Sequence, residues 1–559
     1  MAAALVVAGP TSWAGEPAGE TPGPEVRRGL GDSPFAPAVW VSHQGSFRFR
    51  PELLFGGSLG SDHSGVPAPL AASTGTDPDP DTLAWASIRL RYAPTLHLGQ
   101  SLSVHVGFDA LDNLVLGSTH ANAGGDVGFD LFHDTAAVPS AGEDGWRDSL
   151  RVRHLYGRWL AFDAVDVRAG RMPRRFGLGV TRHDGAGVDA DFGTVVDAVR
   201  AGVSVMGFRL ETSWEFAASG ATTAQQGELG QAKDLGQADD VSTYTIELGQ
   251  RPVTDEQWAE RARALDERRV WTLDWSVFTD LTDQGASSLE QVIDSSLECR
   301  PSEVVANGQP VLDYDCVRLY HRDAYFWRPG VWLKAQWRPD VDTSIRIEAE
   351  GQAVIGSIEH PQRLDEEDSK ESKDIIGFGG ALEVEYRTGA TRTGIDLGFA
   401  TGDDGDYLGV LDGQNIVESD DDAYARNDNV RNNRTVTSFW FNRDYRVDLI
   451  LFRQIIGTVT NAVYFKPWIA RDLLQLDGGV LHGRLDVLYA MAAKPDGTPG
   501  NGRHWGVEVD GAVGLRLDSG LDASLAAGVL LPLDALDDAE TGEAGDPAFA
   551  LRGIVTWSF

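Results

Sequence analysis

The chain has 559 residues, 42% of them hydrophobic, and its 84 Asp and Glu against 48 Lys and Arg give a formal net charge of −36 at pH 7. This acid excess argues against nucleic-acid binding, because contacts with phosphate groups need a basic surface. No stretch beyond the N-terminus approaches the roughly 18 to 20 uninterrupted apolar residues of a membrane helix. If the chain spans a membrane, it does so with strands.

The N-terminus predicts export. Residues 1–14 form an apolar run rich in Ala and Val, and Ser12 and Ala14 flank Trp13 in the small-residue pattern that signal peptidase accepts. We therefore expect residues 1–14 to be a signal peptide cleaved before Gly15; the usual basic segment is missing, and a disordered apolar tail is the alternative. Residues 15–38, rich in Gly, Pro and Glu, predict a disordered linker, and residues 39–559 predict the folded domain.

Apolar and charged residues alternate with a period of two through much of this domain. Phe47 and Phe49 alternate with Arg48 and Arg50, as expected for a strand with one face in lipid and one in water. The alternation recurs around residues 88–92, 102–109, 165–168, 208–214, 345–350, 484–489 and 507–510. The segments have about ten to fourteen residues, which suits a bilayer-spanning strand of about 9 to 11 residues and exceeds the roughly five or six of a soluble sandwich.

The connections come in two sizes. Tight ones, such as 92–101 and 518–521, alternate with long polar ones, such as 112–148, 280–323 and 402–436. Short periplasmic turns and long outer loops produce this asymmetry. The sequence therefore predicts an all-β fold, a transmembrane antiparallel up-and-down β-barrel of the outer membrane with about 18 strands, in a range of roughly 16 to 20. Thr254 and Asp255 precede a run rich in Ala, Arg and Glu and predict a short helix within 251–268.

Tryptophans recur near the predicted strand ends, where an interfacial girdle would lie; they include Trp85, Trp159, Trp214, Trp271, Trp327, Trp337, Trp440 and Trp557. The last segment is the sharpest local feature, because Leu551, Gly553, Val555, Trp557 and Phe559 share one face of a strand that stops at a terminal aromatic residue. This pattern is similar to the closing strand of outer-membrane barrels, whose final Phe is read by the barrel-assembly machinery. We expect Trp557 and Phe559 to form that signal, and outer-membrane lipid to surround the barrel.

The chain has two cysteines, Cys299 and Cys316, in one long polar loop. Their closeness predicts a loop disulfide formed in an oxidising compartment, and two free thiols are the alternative. The spacing matches no zinc pattern.

Charged residues on the inferred inward face predict a charged lumen. The N-terminal half is rich in arginine, at Arg48, Arg50, Arg89, Arg91, Arg151, Arg153, Arg168 and Arg209, and the C-terminal half is rich in acids, at Glu348, Glu350, Glu383, Glu385 and Asp510. Because strand order follows the circle, opposite walls would carry opposite charge, and the field across a water-filled lumen would orient polar solutes. The alternative is a closed lumen in which the same residues pair across the barrel.

An acid-rich stretch lies beside three arginines. It contains His183, Asp184, Asp189, Asp191 and Asp197, next to Arg174, Arg175 and Arg182. Three interpretations stay open: a calcium site built from oxygen ligands, an inward-folded constriction in which acids face arginines, and a simple solvated loop. Acid clusters at residues 77–81, 403–406 and 420–422 are weak calcium signals, and apart from calcium in these loops we expect no cofactor.

Several runs resemble an uncharacterised porin-like outer-membrane family of Gram-negative bacteria. They are FRFRPELL at 47–54, LDNLVLGST at 111–119, AGRMPRRFGLGV at 169–180, the stretch 183–199, and YRVDLILFRQIIGTVTNAVYFKP at 445–467. The resemblance covers most of residues 45–559, with divergent loops, and implies a barrel but no particular solute. The Gly-Arg-Met segment is also distantly similar to alginate-export-type porins, in a match too short to carry a substrate over.

The function expected from these features is a porin-like channel that admits small hydrophilic solutes. A non-conducting barrel with a structural or loop-binding role is the first alternative, and an outer-membrane hydrolase is the second. The Gly56–Gly60 segment matches the nucleophile-elbow pattern around Ser58, but no helix pattern follows it, so we do not expect an enzyme. The association of three barrels stays open.

Overall fold

The computed structural model describes residues 39–57, 59, 82–99, 101–116, 150–162, 164–217, 241–252, 255–287, 303–306, 309–312, 320–359, 372–403, 435–537 and 542–559. Several predictions lie outside these residues and stay predictions. They are the signal peptide (1–14), the linker (15–38), Ser58, the pairing of Cys299 with Cys316, and the acid clusters at 77–81 and 420–422.

Eighteen long strands form one closed antiparallel wall. They are β1 (Val39–Phe55), β2 (Thr82–Leu98), β3 (Leu102–Leu116), β4 (Leu150–Ala161), β5 (Val165–Pro173), β6 (Val195–Val205), β7 (Phe208–Ala217), β8 (Val241–Gln250), β9 (Thr272–Ser287), β10 (Tyr320–Trp337), β11 (Thr343–Ile358), β12 (Lys373–Thr388), β13 (Thr391–Ala400), β14 (Ala462–Leu476), β15 (Gly479–Met491), β16 (His504–Leu517), β17 (Leu521–Pro532) and β18 (Ala548–Ser558). Each strand pairs with its neighbours in sequence, and β1 also pairs with β18, which closes the barrel. A further two-residue piece, Thr435–Val436, lies parallel to β12. The predicted fold and strand number are confirmed.

The period-two pattern places charged side chains inside the barrel and apolar ones outside. Along β1, Arg48, Arg50 and Glu52 are buried toward the interior, whereas Phe47 and Phe55 are each 41% exposed on the outer face. Exposed large apolar side chains cover the outward faces of strands around the whole circle. Because such a face is stable only in hydrocarbon and closure leaves no unpaired strand edge, the barrel spans a membrane.

Turns at one end of the barrel are short. Residues 162–164, 206–207, 389–390, 477–478 and 518–520 connect consecutive strands there, while the connections at the other end are long. The short-turn end is therefore the periplasmic end. Its one long connection holds the helix α1 (Asp255–Asp266), which confirms the helix predicted within 251–268. Among the described residues, no helix is long and apolar enough to cross a bilayer.

Two connections from the outer end fold into the barrel. The first inward loop comprises residues 174–194, between β5 and β6, and the second comprises residues 437–461, before β14. Leu178 and Val180 of the first loop and Ile450 and Phe452 of the second are buried in one apolar cluster with Trp505 of β16. The core of this protein thus lies inside the barrel, where the second loop packs against the C-terminal strands.

The tryptophan prediction is right at some positions and wrong at others. Trp159 and Trp557 are exposed on the outer face at the periplasmic end, and Trp271 stacks on Trp337 close by. Trp85 and Trp440, in contrast, pack against the interior cluster. Trp85 lies opposite the inward-facing Glu52 in the β1–β2 register, so its side chain shares the inner face.

Candidate functional site

Two aspartates of the first inward loop bind arginines from four parts of the chain. Asp189 accepts hydrogen bonds from Arg50 of β1 at 2.9 Å, from Arg453 of the second inward loop at 2.7 Å and from Arg552 of β18 at 2.7 Å. Asp191 forms ion pairs with Arg50 at 2.8 Å and, in the same cluster, with Arg48 at 2.9 Å, Arg446 at 3.5 Å and Arg89 at 3.6 Å. We call these two aspartates and six arginines the aspartate–arginine cluster.

The charges of this cluster determine the ionisation of its acids. Burial by itself raises the pKa of Asp189, but the guanidinium groups of Arg453, Arg552 and Arg50 outweigh it and hold that pKa well below its ordinary value. The pKa of Asp191 is lowered in the same way by Arg48 and Arg50. Both carboxylates are therefore charged at neutral pH, and each ties the first inward loop to the wall.

The opposite side of the first inward loop is held by carboxylates of three other strands. Glu350 of β11 accepts the backbone N–H groups of Gly179 at 3.0 Å and Val180 at 3.3 Å. Arg182 of the loop donates to Glu215 at 2.9 Å and to Asp280 at 2.7 Å, on β7 and β9. The loop thus crosses the lumen and is bonded to both walls.

The second inward loop is fastened by one carboxylate of the wall. Glu508 of β16 accepts the backbone N–H groups of Leu449 at 2.9 Å, Ile450 at 2.8 Å and Leu451 at 2.8 Å. Asp448 accepts the N–H groups of Phe452 and Arg453 at the start of a short π-helix (Leu451–Ile455).

Further hydrogen bonds join the two loops to each other. Asp444 of the second loop accepts the N–H groups of Asp191 at 2.7 Å and Phe192 at 2.8 Å. Together with the bond from Arg453 to Asp189, these contacts join the two loops into one bonded unit inside the barrel.

The closed wall decides the fold class. The fold is a closed antiparallel outer-membrane β-barrel of 18 strands. Solved porins are similar to it in structure. OccK8 (OprE) of Pseudomonas aeruginosa has 10% sequence identity and a TM-score of 0.45 over 93% of this chain and 98% of OccK8. A BenF-like porin from Pseudomonas fluorescens Pf-5 has 8% identity and a TM-score of 0.45 over 93% of this chain and 98% of that one. OpdQ of Pseudomonas aeruginosa has 8% identity and a TM-score of 0.46 over 93% and 97%. No protein-family model and no curated protein matches the chain.

The predicted arginine wall of this barrel divides into two groups. Arg48, Arg50 and Arg89 are at most 3% exposed and bind the first inward loop, so they hold this loop in place instead of facing open water. The second group lies around the rest of the wall and is partly exposed, with side-chain exposures of 20% for Arg91, 11% for Arg153, 21% for Arg168 and 13% for Arg209; Arg151 is also half-buried on this wall.

Four of the partly exposed arginines are paired with more deeply buried carboxylates. Asp109 binds Arg91 and Arg153, Asp166 binds Arg168, and Glu211 binds Arg209, with carboxylate exposures of 0%, 7% and 3%. Arg158, which the sequence analysis did not select, also binds Asp166 and is 20% exposed. The surface that this wall turns to the lumen is therefore made of guanidinium groups, with the carboxylates behind them.

The predicted acidic wall is less one-sided than expected. Glu348, Glu383 and Glu385 all contact Arg346 of the same wall, and Lys334 also pairs with Glu348. Lys466 and Arg484 lie nearby and pair with Asp396 and Asp486; Asp510 lies half-buried beside them on β16. The prediction of opposite walls with opposite charge took no account of these cations or of the acids Asp109, Asp166 and Glu211.

His183 and Asp184 lie in the middle of the first inward loop. Asp184 contacts Arg175 at 3.4 Å, and His183 Nδ1 lies 3.8 Å from Asp444. Burial and the neighbouring Arg175 lower the pKa of His183, which favours the neutral ring. Asp197 does not belong to this group, because it forms an exposed pair with Arg171 on the outer face of β5 and β6. In the part of the chain that the structure describes, no group of three or more His, Cys, Asp or Glu has the geometry of a metal site.

Sequence reasoning missed the residues that connect the loops. Arg446 and Arg453 lie in the run YRVDLILFRQII, where a charged residue within an apolar stretch was the available signal. Arg552 lies on the closing strand, on the face opposite to the apolar residues that drew attention there. Their partners are distant in sequence, and no local pattern identifies them.

Proposed function

We propose that this barrel is a passive channel for small hydrophilic solutes, with a preference for anions. The observation that carries the proposal is the guanidinium-covered part of the inner wall on β2 to β7. The two inward loops narrow the lumen beside these arginines but leave their side chains partly exposed. A charged constriction in a low-dielectric wall selects by charge and size, because the local field acts on every solute that passes.

The path runs along this arginine wall on one side of the loops. The second inward loop packs against the C-terminal strands and fills that part of the interior with apolar side chains. Water and polar solutes are therefore more favourably placed beside Arg91, Arg153, Arg168 and Arg209 than beside the apolar side chains of the second inward loop. Carboxylate-bearing solutes would exchange part of their hydration for charge-assisted hydrogen bonds to this guanidinium surface.

A non-conducting barrel is the second candidate. The burial of Arg48, Arg50 and Arg89 and the continuous bonding between the two loops favour it, since both are features of a plug as well as of a constriction. In that case the outer loops would carry the function by binding a partner. Assembly by machinery that reads Trp557 and Phe559, association of three barrels and calcium in the acidic loops remain proposals of the same standing.

Liposome swelling tests the channel directly. Proteoliposomes would be challenged with a neutral sugar and with anionic and cationic solutes of similar size, for the wild type, for Arg168→Gln and for the control Arg171→Gln. Arg171 lies only three residues away but faces outward, where it is 54% exposed and paired with Asp197. We expect uptake of all three solutes with the anion fastest, and a smaller anion preference in Arg168→Gln alone. Folded protein that admits no solute would favour the plug. Equal effects of the two variants would show that the arginine wall does not determine the anion preference.

A further inference from the structure

Two histidines, His97 and His105, lie on the inner face of the wall near the periplasmic end of the barrel, and we call them the histidine pair. His97 is the second-last residue of β2, and His105 is the fourth residue of β3. The strand register places His105 opposite Thr95, which shares the inner face of β2 with Arg91 and His97. At about 3.3 Å per residue, His97 lies roughly 20 Å along β2 from Arg91. Because Arg91 donates to the carbonyl oxygen of Gly185 in the first inward loop, the histidine pair lies on the periplasmic side of that loop.

Each ring of the histidine pair is stacked on an aromatic side chain of a neighbouring strand. His97 lies face to face with Trp40 of β1, with the ring centroids 3.6 Å apart and the planes 7° from parallel. His105 stacks on Tyr156 of β4, with the centroids 4.6 Å apart and the planes 5° from parallel. An aromatic ring attracts a cation to its negative face, so both stacks suit a protonated imidazole as well as a neutral one.

Hydroxyl groups contact the ring nitrogens of both histidines. The hydroxyl of Ser42 lies 2.9 Å from Nε2 of His97. For His105, the hydroxyl of Thr95 lies 3.2 Å from Nδ1 and that of Ser103 lies 2.9 Å from Nε2. A hydroxyl donates to a bare ring nitrogen and accepts from a protonated one, so these contacts persist in both charge states. Gain or loss of a proton therefore leaves each of these nitrogens hydrogen-bonded.

The titratable and charged neighbours that the strand register gives this pair lie on β4. Tyr156 lies opposite His105, and Arg158 is the next inward-facing residue toward the periplasm. The ring of His154, on the other side of Tyr156, lies 5.9 Å from the Tyr156 ring. Arg158 donates to Asp166 of β5 at 3.1 Å, which balances its charge. The register partners on β1 are uncharged, so a proton on either histidine adds net positive charge to this part of the lumen.

We propose that His97 and His105 make the anion preference of the channel increase as the pH falls from about 7.5 to about 5.5. This inference rests on the proposed function, because it concerns the selectivity of the same lumen. An imidazole group titrates near about pH 6.5, so the two rings pass from mostly neutral to mostly cationic over this interval. The added charge extends the cationic surface of the arginine wall toward the periplasmic mouth. The inward loops stay anchored, since the stability contributed by Asp189 is complete above about pH 5.

Reversal potentials in planar bilayers under a salt gradient test this inference. They would be recorded at about pH 7.5 and about pH 5.5 for the wild type, for the double variant His97→Gln with His105→Gln, and for the control His43→Gln. Glutamine keeps hydrogen-bonding groups and stays neutral at both pH values. His43 lies on the outer face of β1, where its ring centroid is 6.0 Å from that of Tyr92, so its charge does not face the lumen. Heat-modifiable migration on gels establishes that each variant is folded.

The wild type and His43→Gln should show a rise of about twofold or more in the ratio of anion to cation permeability at the lower pH. The double variant should keep the ratio of the wild type at the higher pH and lose most of the rise, and His105→Gln alone should lose about half of it. A conducting wild type whose ratio does not change with pH, or a double variant that responds like His43→Gln, would overturn this inference and leave the proposed channel intact. Folded barrel that conducts at neither pH would overturn both.

Discussion

Removing the charge of Asp189 should loosen both inward loops. Asp189 accepts four hydrogen bonds, two of them from Arg453 at 2.7 and 3.1 Å, one from Arg50 and one from Arg552. In Asp189→Asn, three buried guanidinium groups lose a carboxylate. Breaking a buried ion pair on one side costs about 3 to 5 kcal/mol, because the remaining charge stays out of water. Arg50 keeps Glu52 and Asp191 as partners, so the lower part of this range applies.

Hydrogen exchange measures this loosening directly. At about 1.4 kcal/mol per tenfold, a loss of 3 kcal/mol raises the population of the open loop by roughly a hundredfold. Amides of residues 176–192 and 447–456 should exchange faster by about that factor. Asp197→Asn is the control, because it removes the same charge from an exposed pair that is 54% and 37% exposed and costs at most about 1 kcal/mol. Loop exchange in Asp189→Asn within threefold of that in Asp197→Asn would refute the assignment of the cluster as the anchor.

Three further predictions concern the same interior and the closing strand. Glu508→Gln should weaken the anchoring of residues 449–451 by about 2 to 3 kcal/mol, because the amide nitrogen replaces one of the two acceptor oxygens. Limited proteolysis should then cut the second inward loop. The control Glu385→Gln changes the inner wall away from both loops and should leave the second loop protected. The pKa of Asp189 is lower in the folded than in the unfolded protein, so the stability that this carboxylate contributes is complete above about pH 5 and is lost as the pH falls below about 4. Hydrogen exchange of the loops should therefore become faster in acid for the wild type and much less so for Asp189→Asn. Equal acid sensitivity of the two proteins would contradict this. Phe559→Ala should lower the fraction of barrel that reaches the membrane in cells, because Phe559 exchanges both backbone hydrogen bonds with Gly45 and its ring covers that glycine; unchanged yield on heat-modifiability gels would count against the assembly signal.

The wall of the barrel was predictable from the sequence because its signal is local. Each strand carries its own alternation, so Arg48 between Phe47 and Phe49 is enough to assign an inner and an outer face. Strand ends were less certain. The tight connection expected from Tyr92 to Ser101 is mostly strand, because β2 continues through Pro94 to Leu98 and only residues 99–101 turn.

The bonded pair of inward loops was only partly predictable. His183 to Asp191 drew attention because acids and arginines crowd there, and an inward-folded segment was one of three interpretations. Its partners come from residues up to 363 positions away, as in the bond from Arg552 to Asp189. Such pairs depend on barrel closure and on the path of a second loop, and neither leaves a periodic trace in the sequence.

The division of the arginines was also beyond the sequence. Arg89 and Arg91 occupy the same face of β2, two residues apart, yet one is buried against Ala190 and the other is partly exposed beside Asp109. Both bind the first inward loop, since Arg91 also donates to the carbonyl oxygen of Gly185 at 2.6 Å. The two arginines differ in exposure, which is 2% for Arg89 and 20% for the side chain of Arg91. The alternation of apolar and charged residues indicates which face of a strand a side chain occupies. The inward loops determine which part of the inner face is exposed to water.

Single-channel recording in planar bilayers under a salt gradient tests the central claim most directly. The account predicts discrete conductance steps with a reversal potential that shows anion preference, and a smaller shift in Arg168→Gln. Purified barrel that is folded and inserted but never conducts, or that conducts with cation preference, would contradict it.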